Sequence, residues 1–230
     1  MPNWCNNTFE VVGKKEDIRI FEKHLDETNG KDWFDFFLPC PQELKDVGNV
    51  SFDHTNEELV KKYGAADWYS WSVNNWGCKW NCDANDWAVN DYDEENESLT
   101  FWFDSPWGPP TELYRWISEN TDFDVFGNYH EEGMCFVGRF EYGEDESYEY
   151  SDVDSLDDIP EDIVLEWNLR EMIEERAEWA EDEEIEEELN EIVDDFEDLS
   201  DDSKQKVLNQ LQDEFDKMVN DDDKPKKWPN

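Results

Sequence analysis

The sequence predicts an α+β protein, in which an antiparallel sheet carries helices on one face and an acidic α-helical region follows. Three observations predict this class. Up to about residue 142, short alternating aromatic segments typical of strands are separated by segments with helical spacing. Beyond 142, spaced apolar residues stand among Glu and Asp. Net charge also shifts there, so this is the main expected domain boundary.

These changes divide the chain into four expected parts. An aromatic domain is expected at 1–142, an acidic linker at 143–159, an acidic helical domain at 160–220 and a disordered tail at 221–230. The apolar residues of the third part recur every three or four positions, which gives each helix one face to bury.

The first half of the aromatic domain predicts a strand, a helix and a second strand. Residues 3–12 alternate, so that Cys5, Asn7 and Phe9 share one face. Residues 16–27 have helical spacing. The segment 32–38, DWFDFFL, is interpreted as an aromatic strand. Strand, helix and strand in this order form one half of a ferredoxin-like sandwich.

The second half predicts the complementary elements. A short helix is expected at 57–64, and residues 86–91 and 99–104 predict a hairpin around the acidic turn DEENES. After SPWGPP, a helix begins at Pro110, where the missing N–H of proline is not needed. Strands at 123–127 and 134–142 complete the ferredoxin-like antiparallel sheet.

The charge is extreme and unevenly placed. The chain carries 64 acidic and 19 basic residues, a net charge of −45. Residues 1–140 hold 28 acids and 11 bases, and residues 141–202 hold 30 acids and two bases. Such a charge repels nucleic acid and anionic membranes and favours a basic protein partner. No stretch approaches the roughly 20 apolar residues of a membrane span.

The five cysteines are irregularly spaced, and the opening MPNWCNN does not look like a secretion signal. We therefore expect a cytoplasmic protein with reduced thiols. Cys78 and Cys82 are expected to be buried free thiols, because no second ligand pair stands at zinc spacing. The residues predict no cofactor, no metal site and no catalytic constellation.

Four motifs stand out: MPNWCNN, LPCP, WYSWSVNNWGCKWN and SPWGPP. Together they resemble the phage- and plasmid-borne family that carries the YubB-type ferredoxin-like domain. The resemblance covers roughly residues 1–142 and implies that fold, a mobile-element origin and an infected host cell as location. The chain departs from the family at Cys78, where relatives are expected to have Thr. The resemblance implies no established activity.

The acidic region predicts a partner-binding face. Pro160 to Leu199 contains 19 acids and two bases in 40 residues. As one helix it would extend about 60 Å and carry a net charge every ~3.5 Å, close to the ~3.4 Å of a DNA strand. We therefore expect a phage-type accessory protein that acts as a DNA-mimic inhibitor of a host defence or DNA-processing protein. Its expected partner is a basic DNA- or RNA-binding host protein. The expected contact residues are Glu171, Glu174, Glu175, Glu178, Glu181, Asp182, Glu183, Glu184, Glu186, Glu187, Glu188 and Glu191.

The tryptophan-rich stretch 68–81 supports an alternative from another class. A non-enzymatic binding module would use Trp68, Trp71, Asn75, Trp76 and Lys79 as a second surface. The acidic helices would then serve solubility or self-association into a homo-oligomer. The same rings would equally suit a core that packs over the sheet, because indole side chains bury a large area.

Overall fold

The computed structural model describes residues 3–47 and 56–177, and within 178–210 it describes Trp179, Ser203, Asn209, Gln210 and residues 205–207. Within the first compact unit, residues 1–167, it forms six strands: β1 (Trp4–Lys14), β2 (Asn85–Asp91), β3 (Asn96–Pro106), β4 (Asp124–Glu131), β5 (Phe136–Glu141) and β6 (Glu144–Glu149). The helices are α1 (Lys15–Thr28), α2 (Phe34–Phe37), α3 (Gln42–Val47), α4 (Glu57–Tyr63), α5 (Trp68–Trp76), α6 (Thr111–Asn120) and α7 (Glu161–Glu166).

The six strands form one antiparallel sheet in the order β2-β3-β1-β4-β5-β6. The first four strands, with α1 and α6 as connections, have the ferredoxin-like arrangement, which confirms the predicted fold class. Strands β5 and β6 extend the sheet beyond β4 as a meander. A long insertion between α1 and β2 carries the short helices α2 to α5.

The core is aromatic and centres on Trp33, which is fully buried. Its ring centroid lies 4.7 Å from that of Phe9 on β1, 5.1 Å from that of Phe101 and 5.2 Å from that of Phe103 on β3. Tilted and edge-on contacts of this kind stabilise a core beyond the area that they bury. The insertion therefore supplies the centre of the core.

The strand predicted at 32–38 is wrong. Phe34 to Phe37 form the helical turn α2. Phe34 and Phe37 are both buried, and a spacing of three places them on the same side of a helix. In a strand they would point to opposite faces. Aromatic content alone does not distinguish the two, because both structures bury such a segment.

The acidic linker expected at 143–159 is also wrong. Residues 144–149 form β6, a 3₁₀ helix follows at Asp154–Asp158, and Tyr150, Leu156 and Ile159 are buried. The acids of this segment find partners in the sheet. Arg139 on β5 lies 3.4 Å from the Glu146 carboxylate, and the Tyr129 hydroxyl donates to Asp145 at 2.8 Å. The segment is therefore part of the folded unit.

The long helix expected from Pro160 is interrupted near its start. Helix α7 ends at Glu166, and Asn168 adopts a left-handed conformation with φ 49°. Leu165, one of the apolar residues whose spacing predicted a buried helix face, is 70% exposed. In the second compact unit, 168–230, the structure describes a helical stretch at 169–177 with Leu169 and Ile173 buried. The expected domains at 160–220 and 221–230 otherwise lie largely outside the described residues.

Candidate functional site

Three of the twelve predicted contact acids lie in the described helical stretch at 169–177. Glu171, Glu174 and Glu175 are exposed there, and their spacing puts them on one side of the helix, away from Leu169 and Ile173. The side-chain amide of Asn168 donates to the Glu171 carboxylate. The other nine acids, Glu178, Glu181, Asp182, Glu183, Glu184, Glu186, Glu187, Glu188 and Glu191, lie outside the described residues.

The break at Asn168 changes the geometry that was expected for these acids. A single helix from Pro160 to Leu199 would have spaced its charges like one DNA strand. Helix α7 ends at Glu166 and Asn168 has a positive φ, so the expected helix is interrupted at 167–168. The continuous helix that was expected from Pro160 is therefore wrong at this point.

Motifs that are far apart in the sequence meet at one corner of the sheet, where the start of β1 lies beside the end of β3. The register pairs Trp4 of β1 with Pro106 of β3, and the Trp107 backbone N–H donates to the Asn3 carbonyl at 2.9 Å. Trp80, which follows α5, lies with its ring centroid 6.3 Å from that of Trp4 and 6.1 Å from that of Trp107. Three motifs that are far apart in sequence thus build one aromatic cluster.

We call this cluster the tryptophan corner: Trp4, Tyr69, Lys79, Trp80 and Trp107. Trp4, Tyr69 and Trp107 are 48%, 45% and 44% exposed. The Lys79 ammonium nitrogen lies 4.9 Å from the ring centroid of Trp80, 5.3 Å from that of Trp107 and 5.9 Å from that of Tyr69. These distances are within the ~6 Å range of cation–π attraction. The corner is therefore a partly exposed aromatic surface that already holds one cation.

Helix α5 positions this corner through caps at both ends. The Asp67 side chain accepts from the Ser70 backbone N–H at 2.8 Å, and Gly77 ends the helix with φ 86°. A Cβ at Gly77 would lie 3.2 Å from the Glu112 backbone nitrogen at the start of α6. Gly77 therefore allows close packing of the α5 end against α6 as well as the turn.

The residues of the second predicted surface lie partly in the core and partly at the tryptophan corner. Trp71 and Trp76 are 5% and 3% exposed, so they are not surface residues, which corrects that expectation. Asn75 donates its amide to the Trp71 carbonyl at 2.8 Å. Trp68 and Lys79 are partly exposed. Sequence reasoning missed Trp4 and Trp107 as contact residues, although their motifs were recognised, because only the pairing of β1 with β3 brings them together.

A cavity of about 320 Å³ lies between α2, α5 and the segment after α5. Its aromatic walls are Trp68, Trp76 and Trp80, and its polar walls include Asp32, Asp35 and Lys45. The Trp76 indole N–H donates to the Leu38 carbonyl at 2.9 Å. One wall is thus fixed, and Trp80 belongs to both the cavity and the tryptophan corner.

The thiols beside this region are buried. Cys78 and Cys82 are both free, as expected, and both donate to the Trp80 carbonyl, at 3.4 and 3.7 Å. Burial raises the pKa of the Cys82 thiol well above its ordinary value, and hydrogen bonding with Cys78 raises it further. Both side chains are therefore buried packing groups, and the raised pKa of Cys82 disfavours its thiolate.

Within residues 3–47 and 56–177, no three His, Cys, Asp or Glu side chains are grouped so that they could hold a metal ion. Within the described helices, none combines the length and the apolar character that crossing a membrane requires.

Comparison with known proteins identifies the family. The model DUF1281_C, described as the ferredoxin-like domain in Api92-like protein, matches residues 86–201, about half of the chain. Its match begins at β2 and continues into the acidic region, so the extent of 1–142 expected from the motifs differs at both ends. No curated protein matches the chain.

One solved structure is also similar to the chain. The crystal structure of a protein api92 from Yersinia pseudotuberculosis, of family DUF1281, has a TM-score of 0.35 and 12% sequence identity, and the similarity covers 66% of this chain and 99% of that chain. The matched family model carries the same ferredoxin-like fold that the strand order shows. The chain belongs to the Api92-like family.

Proposed function

We propose that this protein is a non-enzymatic binding protein that contacts a basic host protein and occupies its DNA- or RNA-binding surface as an acidic mimic. The observation that carries the proposal is the charge of −45, concentrated in residues 141–202 with 30 acids and two bases. A field of this size attracts a basic partner before contact and speeds association.

The ion pairs of the first unit support this proposal. Among the residues that the structure describes, eight of the eleven bases in 1–140 lie within 4 Å of a carboxylate, as Lys14 does with Asp122 and Arg115 with Glu112. The pairing uses up most of the positive charge locally. The excess carboxylates of this unit give its surface a negative charge, and Glu171, Glu174 and Glu175 are exposed in the second unit.

The sheet face away from the aromatic core supports a protein rather than a nucleic acid as partner. A groove on this face is lined by Glu10, Asp86 and Trp102. Ferredoxin-like modules that bind RNA use aromatic rings on such a face together with phosphate-binding bases. Here carboxylates stand beside the ring, so phosphates would meet like charge and counterion release would not favour binding.

The resemblance to phage- and plasmid-borne proteins suggests which class of partner to test. On that origin, the protein would act in the cytoplasm of an infected cell, and its partner would be a host defence or DNA-processing protein. Both the origin and the location are part of the proposal.

The test is competition between this protein and DNA for a captured partner. The tagged full chain is used to capture basic proteins from host lysate over a series of salt concentrations. We expect a partner that salt releases and that double-stranded DNA displaces. Replacing Glu171, Glu174 and Glu175 by Gln should weaken its binding on the order of tenfold, because each exposed ion pair contributes at most about 1 kcal/mol.

A matched variant distinguishes the effect of where the replaced acids lie from the effect of the change in net charge. Replacing the exposed Glu94, Glu119 and Glu132 by Gln changes the net charge by the same amount elsewhere in the chain. It should leave affinity nearly unchanged. Equal losses in both triple variants, or simultaneous binding of DNA and this protein to the partner, would overturn the mimic.

A second candidate function is favoured by the tryptophan corner. Exposed Trp and Tyr side chains are enriched where a few residues dominate a protein interface. In this alternative the corner grips the partner, and the acidic helices provide solubility or self-association. The variant Trp4→Ala would then weaken capture strongly, with little change in the salt dependence of the binding that remains. Trp102→Ala, which removes a 45% exposed ring on the sheet, is its control.

A further inference from the structure

We infer that the cavity lined by Trp68, Trp76 and Trp80 is a binding site for one guanidinium or ammonium group, carried by an arginine or lysine side chain of a protein partner. This inference deepens the second candidate function and rests on it only for the source of the side chain. The volume of the cavity, about 320 Å³, is at the small end of ligand sites, which suits one long side chain.

The aromatic walls of the cavity suit a cation. Indole is the ring that attracts cations most strongly, and three indoles line this cavity. Trp80 already attracts one cation, because the Lys79 ammonium lies 4.9 Å from its ring centroid. Trp68 and Trp76 line the cavity in addition.

The Asp35 carboxylate gives the cavity a negative charge that a cation would compensate. Asp35 lines the cavity, and its Oδ2 lies 3.3 Å from Lys45 Nζ. Its Oδ1 is buried and has no hydrogen-bond partner among the residues that the structure describes. A buried carboxylate oxygen without a donor leaves the charge of Asp35 poorly compensated, so a cation in the cavity would stabilise it. A guanidinium group has several N–H donors with which to approach Oδ2, the oxygen that Lys45 contacts.

A second carboxylate, Asp32, makes the cavity negative overall. Asp32 and Asp35 carry two negative charges against the single positive charge of Lys45. Burial raises the pKa of the Asp32 carboxyl, and the nearby Asp35 and Asp83 raise it further. An added cation would therefore be stabilised by carboxylates that at present repel one another.

The loop that holds these groups is fixed by Asn81. Its side-chain oxygen accepts the backbone N–H groups of Phe34 and Cys82 at 3.0 and 2.9 Å, and its amide donates to the Asp32 carbonyl at 3.1 Å. These bonds tie the aspartate segment to the segment that carries Trp80. The cavity is therefore largely formed before a ligand arrives, which reduces the entropy lost on binding.

The test uses N-acetyl-arginine methylamide as the probe and the corresponding citrulline derivative as its neutral analogue. The full chain is titrated, and the indole N–H resonances of Trp68 and Trp80 are followed, assigned with Trp68→Phe and Trp80→Phe. We expect saturable shifts with arginine, with a dissociation constant on the order of 1–10 mM, and no saturation with citrulline. Asp35→Asn should weaken binding about tenfold.

The variant Lys45→Met gives the sharper test, because it removes a competing ammonium and keeps the aliphatic stem. It should tighten arginine binding, a gain that a purely structural role of Lys45 would not produce. The matched controls are Asp122→Asn and Lys14→Met, which break an ion pair of similar length, 3.5 Å, elsewhere. Neither should alter arginine binding.

Three outcomes would overturn the inference: equal shifts with citrulline, saturation by a neutral methyl glucoside with none by arginine, or unchanged affinity for arginine in both Asp35→Asn and Lys45→Met.

The result for the cavity is separable from the result for the proposed function. Arginine binding with no partner capture would leave the cavity as a cation site and remove the proposed partner. If the Asp35→Asn variant still captures the partner and the chain does not bind arginine, the partner remains and the cation site is ruled out.

Discussion

His130 on β4 shows how one buried side chain couples this fold to pH. Its Nε2 lies 2.8 Å from the Tyr150 hydroxyl, and its ring lies beside Trp167, with 5.5 Å between centroids. Burial lowers the pKa of His130, and the charge of Glu132 opposes this only in part. The neutral imidazole is therefore the form that the folded chain holds.

Stability should fall as the pH drops below the pKa of an unfolded histidine, about 6.5. Below that pH the unfolded chain binds a proton that the folded chain takes up only at lower pH, so protonation favours unfolding. His130→Gln should lose this part of the pH dependence. Urea unfolding of both proteins between about pH 7.5 and 5.5, in high salt to screen the other charges, measures the difference. Parallel curves would contradict the assignment.

At the scale of elements, the pairing of β1 with β3 depends on one buried amide. Asn7 donates to the Cys5 carbonyl at 2.7 Å, the Phe103 carbonyl at 3.3 Å and the Ser105 hydroxyl at 2.9 Å. Ser105 in turn donates to the Gly108 carbonyl at 2.7 Å. The motif MPNWCNN thus fixes the strand ends that present Trp4 and Trp107.

The neighbouring residues Asn7 and Asn6 give a matched pair of variants. Asn7→Ala should lower the free energy of unfolding by about 2–3 kcal/mol, because three buried acceptors lose their donor. Asn6→Ala removes a single exposed bond to Asp104, of 2.7 Å, and should cost less than about 1 kcal/mol. Urea midpoints with unchanged slopes measure both. A larger loss in Asn6→Ala would show that the buried network does not fix this corner.

At the scale of the whole molecule, self-repulsion is the main unfavourable electrostatic term. With a net charge of −45, the folded chain holds its carboxylates closer together than the unfolded chain does. Most bases of residues 1–140 already pair with acids, so little positive charge remains to offset the excess. Dissolved salt is therefore the available source of screening.

Raising NaCl from about 0.05 to 0.5 M should raise the midpoint of thermal unfolding, on the order of 5 °C, because the screening length shrinks. Tryptophan circular dichroism follows the first unit. The variant with Glu94, Glu119 and Glu132 replaced by Gln should begin at a higher midpoint and show a smaller salt effect. A midpoint that falls with added salt would show that ion pairs outweigh repulsion.

Local patterns determined most elements of the fold. Alternation in 3–12 and helical spacing in 16–27 and 110–120 depend on neighbouring residues, and the structure confirms β1, α1 and α6. The hairpin of β2 and β3 follows from its turn, where the Asp93 carboxylate accepts two backbone N–H groups at 2.8 Å. The charge of −45 and its placement are properties of the sequence alone.

Long-range contacts decided the rest. Whether Phe34 and Phe37 lie in a strand or a helix depends on the position of Trp33 in the core, and whether 144–149 is a linker or a strand depends on Arg139 and Tyr129 as partners. The tryptophan corner joins residues that are far apart in the first unit, from Trp4 to Trp107. Only the register of β1 with β3 brings Trp4 and Trp107 together, because no local period relates them.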